Sequence, residues 1–120
     1  MSSRAGKMEK QIVAQNLPSM DTKEVTYEID VEVEGFGSKA ALVVVTGIPA
    51  DLPAEYEPTI ERTAEAQFTQ ALNSKTFLEF YNPGKSAKDE QPTFINLTTC
   101  KWIKVHSITK IDEKTVKASK

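Results

Sequence analysis

The sequence predicts an α+β domain: a mostly antiparallel five-stranded sheet, in the order β-β-α-β-β-β, with one amphipathic helix packed on it. Three patterns carry that expectation. Val25, Tyr27, Ile29, Val31 and Val33 alternate with polar side chains from Glu24 to Glu34, the period-two signature of a strand with one buried and one wet face. Ile60, Ala64, Phe68, Ala71 and Leu72 recur at helical spacing. Short apolar runs bounded by Gly, Pro and Asn flank both. The pattern leaves open whether the sheet stays open or curls towards a barrel.

Size and composition agree with one such domain. The chain has 120 residues, enough for a single core and too few for two ordinary domains. Leu, Ile, Val and Phe supply 28 of them, above the roughly 20% below which disorder is the default. The expected organisation is a mobile, polar arm over 1–20, the domain over 21–111, and a fraying polar tail over 112–120.

The elements follow in order. Val25–Val33 is the first strand, and Gly35-Phe36-Gly37-Ser38 reads as a turn because glycine tolerates positive φ. Ala41–Thr46 (ALVVVT) is a second strand in an antiparallel hairpin with the first. It is apolar on both faces, which predicts a central position. Pro58 suits the first turn of a helix, where its missing N–H costs nothing, and Asn73-Ser74 is a stop. Phe77–Tyr81, Thr93–Thr98 and Lys101–Ile111 read as strands three to five, with a polar loop from Asn82 to Pro92.

The formal net charge of −2 hides a separation. Residues 21–62 carry 10 acidic and 3 basic side chains, whereas 99–120 carry 2 acidic and 6 basic. Glu28, Asp30, Glu32 and Glu34 project from one strand face at intervals of about 6.6 Å. Two explanations follow. Cross-strand pairing with the basic C-terminal strand would make the row structural, each pair stabilising the sheet by only ~0.2–1 kcal/mol. Alternatively the carboxylates form a docking face for a protein, basic if charge guides it.

Catalytic and metal chemistry find little support in the residue types. Cys100 and His106 are the only thiol and imidazole; six residues apart on one strand, they lie about 20 Å from each other. Cys100 reads as a small apolar filler. A structural zinc site wants four Cys/His ligands, and the Gly84-Lys85-Ser86 triplet lacks the earlier Gly and strand-to-helix setting of a phosphate loop. No enzyme activity, cofactor or metal is expected. Asn96-Leu97-Thr98 matches a glycosylation acceptor but lies in a strand-like run. The longest apolar run, Ala40–Val45, is far short of a membrane helix. No apolar stretch follows the basic N-terminal residues as in a secretion signal, so the expected location is cytoplasmic.

Three function classes remain. The first is a protein-binding accessory module, of regulator or inhibitor type, acting through the acidic strand face (Glu28, Asp30, Glu32, Glu34) or a sheet edge. The second is a subunit of a homo-oligomeric structural assembly. The third is a single-stranded nucleic-acid-binding domain that stacks bases on Trp102 and holds phosphates with Lys104, His106, Lys85 and Lys88. Overall negative charge disfavours the third, since such binding depends on phosphate neutralisation. The bland alternative for Trp102 and His106 is core: a Trp packed under the helix and a half-buried imidazole.

Overall fold

A computed structural model describes residues 20–85 and 90–118; all but the last residue of the expected arm over 1–20, and Lys88, lie outside them. The fold is α+β and its elements come in the expected order: β1 (Thr22–Val33), β2 (Gly37–Pro49), α1 (Glu57–Ser74), β3 (Phe77–Phe80), β4 (Thr93–Asn96) and β5 (Ile103–Val116). Short 3-10 turns at Ala54–Tyr56 and Leu97–Thr99 precede α1 and β5.

The alternation in β1 does what it predicts. Val25, Tyr27, Ile29, Val31 and Val33 are all buried, while Glu28 and Asp30 are half-buried and Glu32 is exposed. β1 pairs antiparallel with β2 from Thr22↔Pro49 to Val33↔Gly37. Phe36 N–H donates to Val33 O across the intervening turn, at 2.9 Å. Gly35 (φ +83°) and Gly37 (φ +81°) supply the left-handed backbone this connection needs.

α1 begins with Pro58 in its first turn and Glu57 beside the partly positive helix N-terminus. Ile60, Ala64 and Phe68 face the sheet and are buried, with Leu72 partly so. The helix ends where Lys75 turns extended, its N–H donating to Ala71 O at 3.0 Å. Two adjoining clusters result. Ile29, Val31, Val33, Ala41, Phe68, Phe80 and Ile95 form one; Val25, Tyr27, Val45, Ile48, Ile60 and Ala64 form the other. Val43 and Ile108 pack against both. Each buried aliphatic or aromatic side chain stabilises the fold by roughly 1.5–3 kcal/mol.

Three expectations are corrected. The five strands do not make one sheet: β2-β1-β5 form a three-stranded sheet and β3-β4 a two-stranded one. One antiparallel bridge joins them, with Ala40 N–H donating to Tyr81 O (2.7 Å) and Tyr81 N–H to Ala40 O (2.8 Å). Beyond it the sheets part, and side chains of α1 line the gap. The central strand is β1, not β2. Finally, β5 starts at Ile103 and continues to Val116, so residues 112–116 belong to the sheet instead of a frayed tail. Pairing holds them there, from Thr26↔Asp112 to Thr22↔Val116. The ion pairs Lys23–Glu113 (3.6 Å), Lys114–Glu24 (3.8 Å) and Lys117–Asp21 (3.7 Å) bind the same end.

The long β1–β5 pairing implies a cooperative dependence on the C-terminal strand. Removing residues 112–120 should lower the urea midpoint sharply, because β1 loses its partner along Thr22–Thr26. Phe80→Ala, at a fully buried site, should cost about 3–5 kcal/mol by creating a cavity. Equilibrium denaturation followed by Trp102 fluorescence measures both.

Candidate functional site

Glu28, Asp30 and Glu32 share the outer face of β1, whereas Glu34 falls in the turn just after it, and the members of the row have partners within the chain. Glu28 Oε2 accepts a hydrogen bond from Gly84 N–H at 3.2 Å, tying the β3–β4 loop down onto β1. Glu34 Oε1 accepts from Lys101 N–H, closing the approach to β5. Glu32 Oε1 lies 3.4 Å from His106 Nε2, and Asp30 Oδ2 accepts from Ser107 Oγ at 3.3 Å. Asp30 Oδ1 is buried without a partner among the described residues.

Burial raises the Glu28 carboxyl above its usual range, and its hydrogen bond with Asp30 adds to this; the Gly84 amide works in the opposite direction. These contacts make much of the row structural. The cross-strand explanation for the charge separation is visible directly, since the cations of β5 lie against β1. Lys110 shows the same on the inner side, bridging Glu113 (3.1 Å) and Glu57 at the start of α1 (3.4 Å). The hydrogen bond to Lys110 holds Glu113 below the usual carboxylate range.

The basic and aromatic residues of the third class are partly assembled. Trp102 is 49% exposed instead of packed under the helix. It lines a shallow cleft of about 320 Å³ with Leu72, Asn73, Leu97 and Cys100. Lys104 pairs in register with Glu32 on the outer face. The ladder shifts between Asp30↔Ser107 and Val31↔Val105, which leaves His106 as the extra residue of a bulge. That bulge puts His106 and Ser107 both against outer-face carboxylates. Lys85 follows Gly84 at the β3–β4 loop, its N–H donating to Asn82 O at 3.0 Å. Any phosphate chain on Lys104 and His106 therefore also meets Glu32 and Asp30. Cys100 is half-buried against the core, with its thiol 3.8 Å from Asn96 O. Asn96 uses its side-chain oxygen to accept from the N–H (2.9 Å) and hydroxyl (2.7 Å) of Thr98, capping the 3-10 turn.

A third feature carries no sequence motif. Where the two sheets part, a cleft of about 610 Å³ opens, with Phe68 and Ala71 of α1 in its lining. One wall is β2 from Ala41 to Val44, the other Phe77, Leu78, Glu79 and Tyr81; Phe94 of β4 also lines it. Val44, Phe77 and Phe94 are 46%, 53% and 61% exposed. The backbone of β2 faces this cleft as well. The N–H and C=O of Ala40 point to Tyr81, so antiparallel alternation aims those of Leu42 and Val44 to the same side. Among the described residues no strand pairs with them there. The signal in the sequence was ALVVVT itself: a strand apolar on both faces that the fold leaves at an edge.

Among the described residues no group of three or more His, Cys, Asp or Glu side chains is placed to hold a metal. No described helix is long and apolar enough to cross a membrane.

The raised Glu28 carboxyl gives a pH dependence. A folded-state value above the unfolded one favours the native state where Glu28 is protonated, and that contribution is lost as pH rises through the folded value. Glu28→Gln, which keeps an oxygen for Gly84 N–H, should therefore raise the urea midpoint at pH 7. The gain should shrink as the pH is lowered through the Glu28 titration; paired denaturation curves at both ends measure it.

No protein-family model, curated protein or solved structure matches this chain.

Proposed function

We propose that this chain is a non-enzymatic protein-binding module that engages its partner through a sheet edge, at the cleft between β2 and the β3–β4 hairpin. The observation that carries this is the outer edge of β2, which no strand among the described residues covers beyond the Ala40–Tyr81 bridge. Residues 41–50 (ALVVVTGIPA) contain no Lys, Arg, Asp or Glu. Exposed Val44, Phe77 and Phe94 border that edge.

The contrast with β5 supports the choice. β5 is the other edge of the three-stranded sheet and is 14 residues long. It is interrupted by bulges at His106 and Ile111, where its register against β1 shifts, and it carries Lys104, Lys110 and Lys114. Bulges and lysines are the devices by which soluble proteins keep edge strands from pairing. β2 between Ala41 and Val45 has neither. Gly47 (φ +74°) marks its one bulge, beyond that stretch. The acidic face of β1 supports a docking role less well, because Glu28 and Glu34 already cap backbone amides.

Two surface variants separate the edge from the acidic face. Val44→Lys places a charge in the cleft at an exposed position, so the fold should tolerate it. A partner retained by wild-type protein should be lost by Val44→Lys, at least about tenfold in affinity, as expected for an apolar anchor. Asp30→Lys with Glu32→Lys should leave binding nearly intact. The reverse pattern would move the site to the carboxylate row. Sedimentation velocity over a range of concentrations covers the case in which the partner is a second copy; association should then disappear in Val44→Lys.

A further inference from the structure

We propose that the cleft accepts an extended peptide segment of the partner, which adds to β2 as a further strand; this rests on the sheet-edge function above and specifies its ligand. Two kinds of group meet at the cleft. Leu42 and Val44 direct their backbone donors and acceptors into it, and only an extended chain satisfies such a row at strand spacing. Val44, Phe77 and Phe94 lie exposed beside that backbone, so the added strand places apolar side chains against them at every second position.

The charged groups refine the ligand. Tyr81 donates its hydroxyl to Glu79 Oε2 at 2.8 Å, fixing that carboxylate on the β3 wall. Lys75, at the end of α1, also lines the cleft. Charge complementarity therefore selects a segment that is apolar at alternate positions and carries a Lys or Arg towards Glu79 and an acidic side chain towards Lys75. A helix offers no free backbone groups along its length and leaves Leu42 and Val44 unpaired, which makes it the poorer occupant.

The test selects displayed random linear peptides on the full chain, then follows amide hydrogen exchange of the chain with a selected synthetic peptide at saturation. Strand addition predicts enriched peptides with alternating apolar residues and a cation, and exchange at Leu42 and Val44 slowed by at least about tenfold. Glu79→Lys should shift the selection towards acidic peptides. Val44→Pro removes an N–H that faces the cleft and not β1, so it should weaken binding while the fold survives. If that variant does not fold, the exchange result on the wild-type chain decides. Peptides that compete at the cleft, lose affinity in Val44→Lys and leave both amides unprotected would overturn strand addition while the sheet-edge site stands. Selected peptides indifferent to Val44→Lys, or no selected peptide at all, would overturn the peptide ligand.

Discussion

Among the described residues, β1 is the only strand with a full-length neighbour on each side, and the three-stranded sheet and both core clusters are built on it. Its five inward side chains are each at most 3% exposed and reach both core clusters. Its outward carboxylates then hold what the core does not reach. Glu28 fastens the β3–β4 loop, Glu34 the approach to β5, and Asp21, just before the strand, accepts from Ala118 N–H at 2.9 Å. The same alternation that buries one face thus supplies acceptors for loop amides on the other. Exposed pairs of this kind are individually weak, but they act on segments whose own apolar content is too low to fix them.

That division of labour explains what the sequence shows plainly and what it conceals. Period two in β1 and the helical stripe of α1 are legible because each element buries one face against a single layer. β5 is harder, because bulges at His106 and Ile111 break its alternation, and because residues 112–116 are held by pairing with β1 and by ions such as Lys114 on Glu24. Such partners are distant in sequence and leave no local period. Trp102 resists for a related reason: its apolar bulk suggests a core position, yet it precedes β5 at the sheet margin and stays half exposed.

The division into two sheets was not legible either. Phe77–Tyr81 has strand composition, but among the described residues only Tyr81 forms a backbone bridge to β2. A single bridged residue is the difference between a five-stranded sheet and two smaller ones, and composition does not encode it. The candidate site shares that origin. Its parts come from β2, α1, β3 and β4, and most are ordinary apolar residues in their own elements. The carboxylate row, by contrast, was conspicuous in the sequence because it is local, and the structure gives several of its members internal partners.

The outer face of β2 carries apolar side chains at an edge of its sheet. A strand that ends its sheet normally pairs its free backbone with water and places polar side chains beside it. β5 follows that rule and β2 does not, within one three-stranded sheet. Leu42 is half-buried by the cleft, whereas Val44 remains 46% exposed next to Phe77 and Phe94. Folding stability gains little from apolar side chains left in water; on the proposed function, a partner covers them. On the proposed function, the charge-free stretch of β2 from Ala40 to Pro49 and the guarded sequence of β5 have one cause: only one edge of the sheet receives a strand from another chain.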